Sequence, residues 1–582
     1  MSLLLERFLG LLRLSWLTGP IFDKELRVSS RRRRNYALRF VYVAAFTFWL
    51  AMIWHGVVSE GSSSVYQSSR RAEAGQLVVS FVVWFQFVAA QIVAMVMLST
   101  SISDEIYNRT LGLLMTTPVG SFQIVFGKLL SKLLQLILLL AVTLPLLAIV
   151  RVLGGVPWDF VLCGLCVTLA TAIFVGSLSL FFSIFTRKAY RVITTTAFTM
   201  GVLFAIVPLV SSLLANQAGA RGVFMGVVSY LNPFLLLFSA TMGLVTAQPI
   251  GFRVWPVYCG IVLGVSALLL LLATVFVRRA ALRQAVGQGP LFAGDAAKPR
   301  RRARRAESAR RVVGPAVLWK ERHSPLLGKR KKLTAIGICV TAGFVLFTYG
   351  LCAKQDMLDE QGVQASYVLI FTVLGILYSI VLPATSIAAE KESRTWALLL
   401  TTTVGNWEIV WSKFAGGVRR CLPTWLLLFG HLAIFVSAGI IHGIAMVQFV
   451  LLVVWVTFFL SSTGLYFSSR FRHTTTAVVA NMAVAVGLWA LGPLFLGIAL
   501  AMSGAGRDLW EVYVDLNPVV HTAVIASATT NPGGLGLYDW IHGGMRDATS
   551  AMGWIVLTFI LYVTVGLIFV WRAAARLRRY PF

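Results

Sequence analysis

Charge is scarce in this chain of 582 residues: Asp, Glu, Lys and Arg together make 13% of it, against about 25% in an ordinary soluble domain. Apolar residues make 58%. A chain so short of polar surface is not a soluble globular protein. Acidic residues are the rarest charged class, 22 against 51 Lys and Arg, which leaves a formal net charge of +29. A basic excess serves nucleic acid when the cations lie on a polar, soluble face. Here they sit in a chain of mean hydropathy +0.81, which points to a membrane protein whose cations mark one side of the bilayer. No nucleic-acid partner is expected.

Several motifs are missing as well. A phosphate-cradling loop ends in Gly-Lys-Ser/Thr. The nearest string, Gly127-Lys128-Leu129, lacks both the first glycine and the hydroxyl, and it opens an apolar run. An ATP site in this chain is therefore not expected, and with it no enzymatic activity. No His-Glu-x-x-His pair is present, and Cys163-x-x-Cys166 has no second pair, so no metal site is expected either. The six cysteines lie mostly in apolar runs and read as small core hydrophobes, not as a disulfide framework.

What is abundant is apolar stretches of about 20 residues, the length that crosses a hydrocarbon core. Six fall in the first half, near Tyr36–Val58, Leu77–Ile102, Leu129–Val150, Phe160–Phe185, Val192–Leu214 and Val254–Val277. Six more follow near Leu333–Leu351, Tyr367–Ala389, Leu422–Ile441, Met446–Phe467, Thr475–Ala501 and Met552–Trp571. The first 35 residues read as a short amphipathic helix on the membrane surface, because Glu6, Arg7 and Arg13 interrupt any signal-peptide core. With simple alternation, the cations around Arg31–Arg34, Lys128, Lys132, Arg187–Arg191, Arg278–Arg283, Lys329–Lys332, Arg419–Arg420, Arg470–Arg472 and Arg572–Arg579 share one side. Positive loops stay cytoplasmic, so a multi-pass protein of the inner (plasma) membrane with both termini cytoplasmic is expected. Residues 286–313 carry seven arginines between Arg300 and Arg311 and read as a tether that lies on anionic cytoplasmic lipids.

An internal repeat defines the architecture. Shifted by 285 residues, Ser101–Lys128 falls on Ser386–Lys413 with 14 of 28 positions identical. Matched pairs include Glu105 with Glu390, Arg109 with Arg394, Thr110 with Thr395 and Lys128 with Lys413. The same shift aligns Leu231-Asn232-Pro233 with Leu516-Asn517-Pro518 and Trp255 with Trp540, and a slightly different one sets Lys24-Glu25 on Lys320-Glu321. The expected fold is all-α, about 12 transmembrane helices in two parallel six-helix repeats, residues 1–285 and 314–582, related by an axis along the membrane normal. Within each duplicated segment Glu and Arg stand four apart, the favourable order for a helical ion pair. The segment is expected to project as a helical end, break at Thr116-Thr117-Pro118 and return through an amphipathic stretch, a form suited to docking a cytoplasmic partner.

The Lys-Glu-Leu-Arg segment at Lys24–Arg27, the six spans, and the Asp104–Val119 pattern between spans two and three resemble the permease subunit of type-2 ABC transporters (ABC-2), here as a tandem fusion. The second copy departs from the pattern, with Thr403 for the proline and Trp396 for a leucine, so the two loops need not be equivalent. The resemblance implies the ABC-2, or type V exporter, fold. It also implies a separate nucleotide-binding ATPase subunit, expected in two copies, which holds the ATP and Mg. By the same resemblance Glu105, Arg109, Thr110, Glu390, Arg394 and Thr395 belong to coupling loops that dock on that subunit. The Leu-Asn-Pro segments would belong to short helices between spans five and six that dip into the outer leaflet.

Acidic residues are also nearly absent from the spans, where ionisable groups are costly and mostly functional. An ion-coupled 6+6 transporter is the first alternative, and it would normally bury carboxylates near the midplane. A non-transporting assembly or anchoring subunit is the second. Gln86 and Gln91 in span two, Thr196 in span five and Asn481 in span eleven are candidates to line a translocation path, or else to join helices by hydrogen bonds. His431 in span nine is read as a helix-to-helix hydrogen bonder. No constellation in the chain specifies a substrate.

Overall fold

The computed structural model describes residues 20–25, 64–108, 110–154, 156–186, 189–208, 231–245, 254–285, 312–324, 331–493, 508–530 and 548–579, with a few single residues between them. Most of span one, most of the surface helix within residues 1–35 and nearly all of the tether lie outside them. Among the described residues the structure is all-helical, and the only β feature is a single bridge between Ile441 and Thr530. Helix is what such a composition requires, since backbone amides and carbonyls in lipid must pair within their own segment.

The chain forms two compact units, essentially residues up to 303 and residues 304–582. The first contains α1 (Ser64–Ser99), the short α2 (Ser103–Asn108) and α3 (Leu111–Met115), α4 (Ser121–Gly154), α5 (Trp158–Phe185) and α6 (Ala189–Gly201), which runs into a π-turn at Val202–Ile206. It ends with α7 (Pro233–Val245) and α8 (Trp255–Ala285). The second contains α9 (Ala316–His323), α10 (Lys331–Ala353), α11 (Gln361–Ala384), the short α12 (Ala388–Glu392) and α13 (Trp396–Leu400), α14 (Asn406–Ser437) and α15 (Ile444–Arg470). Helix α16 (Thr474–Val486) follows with a π-turn at Gly487–Leu491, then α17 (Asp508–Asp515), α18 (Pro518–Thr529) and α19 (Ala548–Arg576).

Nine helices among the described residues are long and apolar enough to cross a membrane. They account for nine of the twelve expected spans. Of the other three, span seven is α10, whose apolar stretch Cys339–Ala353 is shorter, span five is α6 interrupted by its π-turn, and span one lies almost wholly outside the described residues.

Each unit is built around one central span. In α5 and α15 the apolar window is 72% and 61% buried, whereas in α8 and α19 it is 28% and 22%, leaving those two helices open to lipid on one side. Helices α1 and α8 pack on α5, and α11 and α19 pack on α15. The core beneath the duplicated segment is also duplicated. Ile102, Leu111, Val125, Leu129 and Leu180 of the first unit are matched by Ile387, Trp396, Val410, Phe414 and Leu465 of the second, each set closed by the last span through Val277 or Val570. Leu111 and Trp396 thus anchor α3 and α13, and the bulkier tryptophan fills the same seat.

Close approach of α11 and α15 depends on Gly464, where an added Cβ would lie 2.9 Å from the backbone nitrogen of Ala384. Backbone cannot swing aside as a side chain can. Gly464→Ala is expected to cost about 1–3 kcal/mol, read as a lower thermal unfolding midpoint in detergent. Gly430→Ala, on α14 with open space around it, should leave the midpoint unchanged or slightly raised.

Candidate docking site

The duplicated segments fold as pairs of one-turn helices, α2 with α3 and α12 with α13, and not as a single projecting helical end. This changes the expected ion pairs. Helix α12 stops at Glu392, Ser393 caps it, and Arg394 adopts a left-handed φ of 56° that turns it off the face of Glu390. The expected Glu390–Arg394 pair is therefore not formed. Glu390 instead takes Lys413 Nζ at 2.6 Å and Lys320 Nζ at 3.0 Å on the same Oε1. In the first unit Glu105 takes Lys128 Nζ at 3.0 Å and accepts a hydrogen bond from the Thr110 hydroxyl. Arg109 lies outside the described residues. The reason is local: the helix is too short for an i, i+4 pair, and a lysine from the next long helix arrives at the carboxylate from its buried side.

The two threonines act alike on the backbone. Thr110 and Thr395 each donate N–H to the carbonyl of the glutamate five residues earlier, at 3.0 Å, and their hydroxyls reach the same oxygens at 3.4 and 3.3 Å. Each threonine therefore closes the turn between its two short helices. Thr395 is exposed, whereas Thr110 is half-buried against Glu105.

Lys128 and Lys413 sit at matching places near the starts of α4 and α14, and both are buried. Each has a second acceptor. Lys128 donates to the carbonyl of Ser101 at 2.6 Å, which ties it back to the end of α1. Lys413 donates to Glu321 Oε1 at 2.7 Å, and Glu321 Oε2 takes Arg420 at 2.5 Å. Glu321 belongs to α9, so Lys413 joins α9 to α12 through two carboxylates. Gly416 makes room for this, because a Cβ there would meet Glu321 Oε2 at 2.9 Å. Ser131 occupies the matching position of the first unit, where Glu25, matched to Glu321, pairs with Lys132 at 3.5 Å. The two sites share a plan and differ in how tightly the preceding helix is held.

Electrostatics keep both acids charged. Burial opposes ionisation of Glu105, but the Lys128 charge, hydrogen bonds from Thr110 and Lys128, and the Lys24 charge outweigh it and hold the carboxyl below the usual range. Burial of Glu321 is likewise outweighed by Lys413 and Arg420, then by the Lys413 hydrogen bond and Lys320. Burial lowers Lys391 of α12 to about 8, and Arg576 adds to it. Lys391 donates to the carbonyl of Ser469, which fixes α12 to the end of α15. Glu392 accepts the backbone N–H of Thr474 at 2.7 Å and so caps α16.

Each segment carries an exposed apolar tip. Leu113 is 72% exposed and its repeat partner Leu398 is 69% exposed. Phe122 and its partner Trp407 are exposed beside them at the starts of α4 and α14. Thr116, Thr117, Thr401 and Thr402 turn their hydroxyls back onto carbonyls of the short helices, which closes the tips without burying them.

A family model described as ABC-2 family transporter protein matches residues 20–282 and 331–561. The chain belongs to this family. The two matched segments agree with a tandem two-half ABC-2 permease. ABC-2 proteins are membrane-spanning transport components that pair with ABC ATPase subunits. No curated protein and no solved structure matches the chain.

The path candidates of this ABC-2 chain lie inside their own units. Gln86 on α1 hydrogen-bonds Thr143 on α4, and Gln91 on α1 donates to the carbonyl of Thr168 on α5 at 3.3 Å. Asn481 on α16 donates to the carbonyls of Ile380 and Leu460 at 2.8 and 3.2 Å and accepts from Thr463. Thr196 is fully buried. His431 on α14 is hydrogen-bonded to the Tyr349 hydroxyl on α10 at 2.6 Å. Sequence reasoning passed over Lys128, Lys413, Lys320 and Glu321 as site residues. Their signal was present: all four recur in the repeat, and Lys128 opens an apolar run where a cation needs a partner.

Two outcomes follow for thermal unfolding of the detergent-solubilised ABC-2 chain. Lys413→Met takes from buried Glu321 one of its two cations, leaving Arg420, and is expected to cost on the order of 2 kcal/mol, whereas Lys128→Met, facing the more exposed Glu105, should cost about 1 kcal/mol. Because the folded Glu105 and Glu321 titrate below their ordinary value of 4.5, their stabilisation is complete above that value and is lost as pH falls below it. The midpoint should therefore hold from pH 7 to about 5 and then drop, and the drop should shrink in Glu321→Gln.

Proposed function

We propose that this chain is the membrane permease subunit of an ATP-driven exporter, with both halves in one polypeptide and hydrolysis performed by two copies of a separate ABC ATPase that binds ATP and Mg. The docking points are the tips of the two segments to which the residues Glu105, Arg109 and Thr110, and Glu390, Arg394 and Thr395, belong. They lie on the cytoplasmic side, with both termini, at the basic ends of the spans. The observation that carries this reading is the duplicated exposed pair, Leu113 with Phe122 and Leu398 with Trp407, set on turns that buried ion pairs hold in place. An apolar residue left in water on a rigid, repeated platform is the usual mark of a partner surface.

The ion pairs supply the mechanical part. A push on either tip passes through the glutamate and its buried lysine into α4 or α14, and through Trp396 or Leu111 into the last span of that unit. Closure of the ATPase pair thus biases each unit between packed states, which is how a soluble motor drives a membrane component. The basic tether between the halves lies on anionic lipid.

The test is co-purification from membranes with affinity-tagged chain. Two ATPase copies per chain are expected, and Leu113→Asp with Leu398→Asp should abolish recovery of the ATPase while leaving insertion and the thermal midpoint intact. Full recovery with the doubly substituted chain would show that docking occurs elsewhere. Substrate movement by the purified chain without ATP would favour an ion-coupled transporter instead.

A further inference from the structure

The two Leu-Asn-Pro segments and the two π-turns form one device, built twice. In the first unit the π-turn closes with Val207 N–H bonding Val202 O, and in the second Gly492 N–H bonds Gly487 O, positions that match under the 285-residue shift. A π-turn widens the helix locally and disturbs its carbonyl ladder. Within it, Phe204 O accepts the side-chain amide of Asn232 at 2.8 Å, and Trp489 O accepts that of Asn517 at 2.6 Å. Those partners also match. The other end of each amide is equally committed. Asn232 Oδ1 accepts Phe234 N–H at 2.9 Å, and Asn517 Oδ1 accepts Val519 N–H at 3.0 Å, so each asparagine caps the helix after its proline. Both side chains are buried, at 3% and 6% exposure.

Only a short side chain with an acceptor and a donor at opposite corners of one plane can do both at once. Aspartate and serine would cap the helix as well, and they would be the more ordinary choice if capping were all that was required. The donor half of the amide is spent on the π-turn. In the second unit a further tie, Tyr513 hydroxyl to Leu488 O at 2.9 Å, fastens α17 to the same turn. Helix α7 packs on α1 and α5, and α18 on α11 and α15, so a shift at either π-turn reaches the neighbouring spans through the capped helix.

We propose that Asn232 and Asn517 are positioning residues that latch α7 and α18 to the π-turns of α6 and α16, so that each capped helix follows its span through the transport cycle. Relaxation of a π-turn to regular helix advances the chain beyond it by one residue, a rotation of about 100°. The latch holds the turn in its wide form and makes the capped helix share any such rotation. In the second unit this continues from the coupling segment, because Glu392 caps the opposite end of α16. Only the nucleotide-dependent arm of the test below rests on the transporter reading.

The experiment uses the full-length chain in lipid nanodiscs, with Asn517→Ser and Asn517→Ala and the same pair at Asn232. Serine retains a cap acceptor and lacks the reach and the amide for the π-turn, whereas alanine loses both contacts. Hydrogen exchange of peptides covering residues 487–493 should rise roughly tenfold in both variants, the factor that accompanies loss of one net hydrogen bond. Protection of residues 519–522 should fall only in the alanine variant. In a second arm, spin labels at Val479 and Ala523 in the complex with its ATPase should give one narrow distance in wild type, both without nucleotide and trapped with ADP-vanadate. In the serine variant that distance should split or change between the two states. Exchange at 487–493 in the serine variant within twofold of wild type overturns the latch, and so does a distance that stays single in that variant through trapping. Absence of any ATPase partner removes the proposed function and leaves the exchange result to decide the latch on its own.

Discussion

Everything at the duplicated segments depends on a lysine placed where a membrane helix would rather have none. Lys128 and Lys413 are buried near the starts of α4 and α14, and a buried ammonium needs both a counter-charge and further acceptors. That requirement draws Glu105 and Glu390 inward, fixes the one-turn helices that carry them, and leaves the apolar tips as the parts facing out. The core beneath is then set by Leu111 or Trp396 seated against the last span.

The repeat is a plan executed with different tightness. Gly416 lets Glu321 close onto Lys413, so the second unit joins α9, α12 and α14 in one buried ionic network. Where the first unit has Ser131, the matching glutamate pairs instead with Lys132 over a longer distance and in a more exposed place. Each unit has its own core, so the two can differ here without loss of the shared plan. Away from the duplicated segments the opposite holds. There the asparagine and the π-turn are kept in both units with the same donor, the same acceptor and the same cap, which suggests a geometric task that neither unit can relax.

The polar residues inside the spans illustrate a general economy of membrane helices. Gln86, Gln91, Asn481 and His431 each find a partner on a neighbouring helix of the same unit, where an unpaired amide or imidazole would be costly. Such bonds tie α1 to α4 and α5, α10 to α14, and α16 to α11 and α15.

Class, nine of the twelve spans and the repeat were legible in the sequence because each rests on a one-dimensional signal: apolar run length and self-similarity at a fixed shift. Membership of the ABC-2 family was legible in the same way, from the motif around Glu105 and its second copy. The partners of the charges were not. Spacing of Glu390 and Arg394 suggested a helical pair, yet whether i and i+4 face each other depends on a helix continuing, and α12 ends after one turn. Lys413 lies 23 residues from Glu390, and Glu321 lies 92 residues from Lys413, separations at which sequence carries no distance information. The Leu-Asn-Pro segments were visible as repeats, placed by resemblance in short outer helices, but their partners were not, because the carbonyl each asparagine engages lies in a π-turn 28 residues earlier. Local composition alone therefore determined which described helices are long and apolar enough to cross a membrane. Which buried charge is neutralised by which, and which widened turn is latched, was decided only when tertiary packing brought distant segments together.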